Sequence, residues 1–318
     1  MKLVFRLQFE GPAVAALAPE HPDVRFVGAG SHEQAIAELA DADVFVVAGP
    51  YYEGAIAEAV NNRAPRLRWV QSSSIGTDRF EKIGLPPGVA FTTAAGLKGR
   101  TVAEHAMALL LAQVHAVPAM ESYKAAGTWA RDALRSHVSS VEGGLMLLLG
   151  YGSVGLEIAR KAKAFDMRVV ALNRTGGGKG PADRVETLAA LDDWLEQADV
   201  VMSTLPLTEQ TRHLIGASQL SRMKTSAVIV NVGRGEVFDG SALSRALGEG
   251  KIAAACLDVF ENEPLPSSDP MWTLPNLILS PHVAGTGGPT ERRFAELVSL
   301  NLSHFKAGIP LRNQVLLG

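Results

Sequence analysis

The chain has 318 residues, 47% of them hydrophobic and 20% charged, so it can build one or two full cores and lacks the composition of a disordered polypeptide. Its 30 Lys and Arg against 33 Asp and Glu give a formal net charge of −3. That balance offers no basic footprint for nucleic acid or an anionic membrane surface, and it favours a small-molecule partner. The single cysteine, Cys256, excludes an intramolecular disulfide and a thiolate metal cluster, reads as a small core residue, and leaves no metal site expected. Arg6 interrupts the N-terminal apolar residues too early for a signal-peptide core. The longest apolar run, Ala106 to Ala112, falls far short of the about 18 residues that a membrane span needs, so a cytoplasmic protein is expected.

Apolar, β-branched runs recur through the first third of the chain. Leu3 to Leu7, Val24 to Val27, Val44 to Val47, Leu67 to Val70 and Val89 to Thr92 each read as a buried strand. Between them lie stretches of helical spacing, such as the one opened by Ser31 and Gln34, which have the spacing of a capping box. Strand alternating with helix predicts a parallel sheet covered on both faces. Thr101 to Val117 reads as a long helix broken by Pro118. After it a second series begins: Leu145 to Leu149, Arg168 to Leu172, Val200 to Ser203, Val228 to Val232, Ala253 to Leu257 and Leu277 to Leu279. These six candidates are the number a complete dinucleotide-binding sheet requires. The final helical stretch, Thr290 to Ala307, is surplus to that series and is expected to return to the first domain, making it discontinuous.

Gly150-Tyr151-Gly152-Ser153-Val154-Gly155 fits G-x-G-x-x-G. The motif follows a strand and opens a helix, so its glycines allow the tight turn and backbone approach that seat a pyrophosphate on a helix N-terminus. The next strand ends about twenty residues on, at the position that meets the adenosine ribose. An acidic residue there would select NAD; this chain has Asn173-Arg174-Thr175. Asn173 removes the repulsion of a 2′-phosphate, Arg174 offers a bidentate contact to it and Thr175 adds a hydroxyl, so NADP(H) is expected to be preferred, with NAD(H) possible. Arg234, Glu263 and His282 each follow a strand's C-terminal end, the side on which open α/β sheets bind ligands.

With these residues, and with Val102-Ala103-Glu104-His105, Thr204-Leu205-Pro206-Leu207-Thr208, Asn231 to Gly235, Leu257 to Phe260 and Pro281-His282, the chain resembles the D-isomer-specific 2-hydroxyacid dehydrogenase family. The likeness spans nearly its whole length. It implies an α/β protein of two doubly wound parallel-sheet domains. Residues 1–98 and 287–318 would form a flavodoxin-like substrate-binding domain, and residues 99–286 a Rossmann dinucleotide-binding domain. Substrate would lie in the cleft between them, and a homodimer would form mainly through the nucleotide-binding domains.

The resemblance further implies that Arg234 anchors substrate and that His282, paired with Glu263, handles the proton. The chemistry agrees, because reducing a 2-keto acid needs a fixed cation for the carboxylate and carbonyl and an acid that titrates near neutrality, which a nearby carboxylate keeps charged. It implies that Ser74, Ile75 and Gly76 bind the substrate carboxylate through backbone N–H groups, with Arg234 and His282 completing the substrate contacts. It also implies that Asp258 meets the nicotinamide carboxamide, and that Thr204, Leu205, Pro206 and Val232 join the glycine motif around the cofactor. Two departures stand out. Gln113-Val114-His115 replaces a basic residue common where the long helix ends, and Lys98 and Arg100 are unusually basic for the domain crossing and are read as solvated. The expected activity is reduction of a small 2-keto acid, glyoxylate or hydroxypyruvate among the first to test, to the D-2-hydroxy acid. The alternative is a nucleotide-sensing, corepressor-like binding protein on the same fold.

Overall fold

Strands that are apolar on both faces must be covered on both, and the pairings between the strands named below are all parallel, Thr92 adding one isolated antiparallel bridge to Gln314. The computed structural model describes residues 1–317. The chain divides into two units, Met1–Lys98 with the segment from Gly287 onward, and Gly99–Thr286.

In the first unit, β1 (Lys2–Arg6), β2 (Arg25–Gly28), β3 (Val44–Val47), β4 (Trp69–Ser72) and β5 (Ala90–Thr92) lie in the order β2-β1-β3-β4-β5, the flavodoxin-like arrangement. Helices α1 (Gly11–Ala15), α2 (His32–Leu39), α3 (Gly54–Asn62) and α4 (Asp78–Ile83) connect them. Ser31 caps α2 by accepting from Gln34 N at 3.2 Å. Gln34 Oε1 reaches back to Gly30 N at 2.8 Å, one residue earlier than a capping box requires. The C-terminal helix Gly288–Ala307 covers the face of this sheet that carries Leu3, Phe5 and Trp69, contributing Phe294, Val298 and Leu302. A buried polar chain fixes it there: Trp69 Nε1 donates to Thr92 Oγ1 at 2.7 Å, Thr92 Oγ1 to Gln71 Oε1 at 2.7 Å, and Asn301 Nδ2 to the same oxygen at 3.1 Å. Lys98 departs from expectation. It is not solvated but sits largely buried with Nζ 3.7 Å from Glu10 Oε1, whereas Arg100 is exposed, near Glu157.

The second unit begins with α5 (Gly99–Val114), whose buried residues Val102, Ala103, Ala106, Met107 and Leu110 repeat at helical spacing. Pro118 does not break it. The break is at Ala116, held at φ 54°, and Pro118 lies in the first turn of α6 (Val117–Ala125), where its missing N–H costs nothing. After α7 (Arg131–Arg135) come β6 (Leu145–Leu149), α8 (Ser153–Ala164), β7 (Arg168–Asn173), β8 (Arg184–Thr187), α9 (Leu191–Leu195), β9 (Val200–Ser203), α10 (Ala217–Arg222), β10 (Val228–Asn231), α11 (Gly240–Gly248), β11 (Ala254–Leu257) and β12 (Leu277–Leu279). The helix Gly288–Ala307 described above is α12. The sheet has seven strands where six were expected, in the order β12-β11-β10-β9-β6-β7-β8. The extra strand, β8, is a half-exposed edge strand of sequence Arg-Val-Glu-Thr, which has no apolar run to announce it. The order reverses between β6 and β9, the place where such a sheet receives a ligand.

Candidate active site

At that reversal, β6 runs into Gly150, whose φ of 97° favours glycine. A Cβ on Gly150 would stand 2.6 Å from Thr204 Oγ1, and one on Gly155 only 2.2 Å from the Gly150 carbonyl oxygen. The first and third glycines therefore close the strand-to-helix turn. Gly152 differs, because nothing lies within 4 Å of where its Cβ would be, and it caps α8 with no side-chain hydrogen bond to the helix's first N–H groups. Open space before unsatisfied donors at a helix N-terminus fits the pyrophosphate of a dinucleotide. Ser153 and Val154 open the helix. Thr204, on the loop after β9, donates to Gly150 O at 3.1 Å, and buried Leu205 is packed by Gly233, where a Cβ would meet the Leu205 carbonyl oxygen at 2.7 Å. Pro206 is exposed and Val232 half-buried beside them.

Asn173 ends β7 as expected, but its amide is engaged by its own loop. Oδ1 accepts from Gly176 N at 2.8 Å and Thr175 N at 3.0 Å, and Nδ2 donates to Gly177 O at 2.7 Å. Tyr151 is buried and holds the far side of this loop, its hydroxyl accepting from Ala182 N at 2.9 Å. Arg174, Thr175 and Lys179 project from the loop into solvent.

Arg234, Glu263 and His282 all belong to the second unit. Asn231, which the sequence reading did not single out, ties the Arg234 turn by accepting from Gly233 N at 3.1 Å and donating to Arg234 O at 2.9 Å. Next to it, a Cβ on Gly235 would lie 2.0 Å from the Phe260 carbonyl carbon, so the Arg234 turn rests directly on the loop that carries Glu263. Glu263 Oε1 accepts from Phe260 N at 3.0 Å, and Oε2 lies 2.6 Å from His282 Nδ1. Burial pushes the Glu263 carboxyl up. The hydrogen bonds from His282 and Phe260 N–H, with the charges of His282 and Arg234, outweigh that effect and hold it below its ordinary 4.5. With Nδ1 engaged, Nε2 is the imidazole atom left to face a reacting oxygen.

His282 has φ 54° and is held in that conformation from below. Asp258, 1% exposed, accepts His282 N–H on its main-chain carbonyl at 2.8 Å and the N–H groups of Val283 and Ala284 on its carboxylate at 2.9 and 3.0 Å. Ser280 Oγ adds a 2.5 Å hydrogen bond to Oδ1, and His105 Nε2 lies 3.0 Å from Ser280 Oγ. The Asp258 carboxylate is thus fully used in shaping the histidine loop, a role sequence spacing could not show. Ser74, Ile75 and Gly76 form a half-buried loop after β4 in the other unit, and Ser74 N donates to Ser72 Oγ at 3.0 Å.

A pyrophosphate turn beside a fixed guanidinium and a carboxylate-held imidazole equips a protein for hydride exchange with a nicotinamide dinucleotide, which makes it an NAD(P)-dependent dehydrogenase. Residues 107–284 match the family model described as D-isomer specific 2-hydroxyacid dehydrogenase, NAD binding domain. A glyoxylate reductase of Korarchaeum cryptofilum is 38% identical over 77% of this chain and 75% of its own length. The crystal structure of a D-isomer specific 2-hydroxyacid dehydrogenase family protein from Aeromonas salmonicida aligns with a TM-score of 0.89 at 31% identity, covering 100% of this chain and 99% of that one. The NADPH-dependent glyoxylate/hydroxypyruvate reductase of Sinorhizobium meliloti aligns with a TM-score of 0.80 at 27% identity, covering 99% and 97%. The chain belongs to the D-isomer-specific 2-hydroxyacid dehydrogenase family. It reduces 2-keto acids, and the binding-only alternative is not favoured.

Proposed function

We propose that the protein reduces glyoxylate, hydroxypyruvate or a similarly small 2-keto acid to the D-2-hydroxy acid, using NADPH in preference to NADH. The observation that carries the catalytic reading is the 2.6 Å contact between His282 Nδ1 and Glu263 Oε2 beside the Arg234 turn. Gly150, Gly152, Gly155 and the start of α8 would hold the pyrophosphate, with Thr204, Leu205, Pro206 and Val232 along the cofactor. The bound nicotinamide supplies the hydride. Arg234 orients the substrate carboxylate and polarises the carbonyl, and His282 Nε2 delivers a proton to the developing alkoxide while Glu263 stabilises the charged ring. In the Ser74–Gly76 loop the N–H groups of Ile75 and Gly76 would serve the carboxylate, the Ser74 N–H being taken by Ser72 Oγ. Asp258 serves the cofactor's carboxamide end chiefly by fixing the loop around His282.

The cofactor preference rests on the loop after β7. Asn173 places no negative charge at the ribose and spends its amide on the loop, while Arg174 and Lys179 stand free of any hydrogen bond or ion pair among the described residues and can meet a 2′-phosphate. The relative from Sinorhizobium meliloti is itself named NADPH-dependent. A panel of glyoxylate, hydroxypyruvate and pyruvate, each with both reduced cofactors, tests the whole reading. Turnover with NADPH ahead of NADH is expected, with His282→Ala slowing single-turnover reduction by a factor on the order of 10² or more. Near-normal chemistry in that variant would remove His282 from the mechanism.

A further inference from the structure

In the first unit the strand order reverses between β1 and β3, so the crevice outside their C-terminal ends is where that sheet would take a ligand. Arg6 is the last residue of β1, and the turn Gly49-Pro50-Tyr51 follows β3 directly. Strand register sets Arg6 beside Val47 and Val47 beside Ser72. Arg6 and Ser72 therefore share one face of the sheet, two strand spacings or roughly 10 Å apart. Ser72 Oγ accepts from Ser74 N, and Gly49 lies so close to Ser74 that a Cβ on it would stand 2.4 Å from Ser74 Oγ. Arg6, the Gly49 turn and the Ser74 loop thus lie together at one end of the sheet.

Arg6 is a half-buried cation without an anion. Its Nε is buried with no hydrogen-bond partner, and its guanidinium carbon lies 4.4 Å from the centroid of the Tyr51 ring. No carboxylate pairs with it among the described residues. Glu10, on the connection leaving β1, faces Lys98, and Glu53, beyond Tyr51, takes Arg79. Removing a charge from water without a counter-ion is costly, and the cost is offset when a bound anion supplies one. The ring platform fixes the plane of the guanidinium, and its fork matches a carboxylate.

We propose that Arg6, backed by Tyr51, binds a second carboxylate at the end of the substrate remote from the keto group, so that the protein accepts short 2-keto dicarboxylates. The inference rests on the reading of Ser74–Gly76 as the site of the first carboxylate. It is tested with the full-length protein by measuring kcat/KM for oxaloacetate and 2-oxoglutarate against the monocarboxylates of equal chain length, 2-oxobutyrate and 2-oxopentanoate, with glyoxylate in parallel. The wild type is expected to favour the dicarboxylates. Arg6→Met should lower the dicarboxylate-to-monocarboxylate ratio by about 10- to 100-fold, mainly through KM, as expected for a lost charge-assisted contact, and Arg6→Lys should keep part of the preference. A wild type that turns over glyoxylate but favours the monocarboxylates overturns this proposal alone, as does an Arg6→Met protein that loses both classes equally. A wild type that reduces no 2-keto acid with either cofactor overturns the functional reading beneath it as well.

Discussion

His282 is a non-glycine residue in left-handed backbone conformation, a cost on the order of 1 kcal/mol that only its surroundings can hold in place. Asp258 supplies that hold from underneath and Glu263 from the side, so the proposed proton donor is held by two carboxylates with different duties. Because Glu263 titrates below its ordinary 4.5, its carboxylate is present at and above that pH and is lost only as pH falls through the lowered value. Reduction should therefore persist as pH drops through 4.5, which initial rates at saturating cofactor would show; an acid limb above 4.5 would count against the assignment. In Glu263→Gln the ring loses its carboxylate partner, and kcat for reduction should fall with cofactor KM unchanged. The ribose loop gives a second expectation. Arg174→Ala should raise KM for NADPH and leave NADH nearly unchanged, a change of roughly 10- to 100-fold in their kcat/KM ratio for one charge-assisted contact. Equal weakening of both cofactors by Arg174→Ala would refute it. These candidate residues were legible because each is a polar type placed just after an apolar strand. What Asp258 and Asn173 do with their side chains was not, since their partners are backbone groups that only the folded loops bring within reach. The burial of Lys98 escaped notice for a similar reason: Glu10 lies far from it along the chain.

The turn from β6 into α8 separates a glycine needed by the fold, Gly155, from one the fold leaves free, Gly152, which we assign to the ligand. Gly155→Ala would drive a methyl into the Gly150 carbonyl and should destabilise the protein by about 1–3 kcal/mol in denaturant titration. Gly152→Ala meets nothing and should cost less than about 1 kcal/mol, yet it should raise KM for both cofactors by obstructing the pyrophosphate. A Gly152→Ala enzyme with unchanged cofactor KM would argue against that placement. Most strands could be read from sequence because a buried parallel strand is apolar at every position, as Leu145–Leu149 is. The edge strand β8 could not, because half its surface meets water and its side chains follow suit. The end of α5 was misplaced for a different reason. Proline forbids a helix interior but is welcome in a first turn, so Pro118 marks where α6 begins and says nothing certain about where α5 stops.

Residues 115–140 carry several large apolar side chains on the exterior of the second unit. Neither α6 nor α7 contributes a buried residue, and Val117, Met120, Val138 and Trp129, the last 93% exposed, face outward. A surface of this kind fits association through a second copy of the chain. Light scattering coupled to size exclusion should report a homodimer, and Trp129→Glu combined with Met120→Glu should shift it to monomer; a monomeric wild type at micromolar concentration would exclude that arrangement. The return of α12 to the first unit has a consequence for the order in which the protein is made. A ribosome releases β1 to β5 early, then all of Gly99–Thr286, and only afterwards the helix carrying Phe294, Val298 and Leu302. Leu3, Phe5 and Trp69 must wait through the synthesis of an entire neighbouring unit before their cover arrives, so the part of the protein begun first is the part completed last, and a nascent chain would need shelter for that face in the meantime.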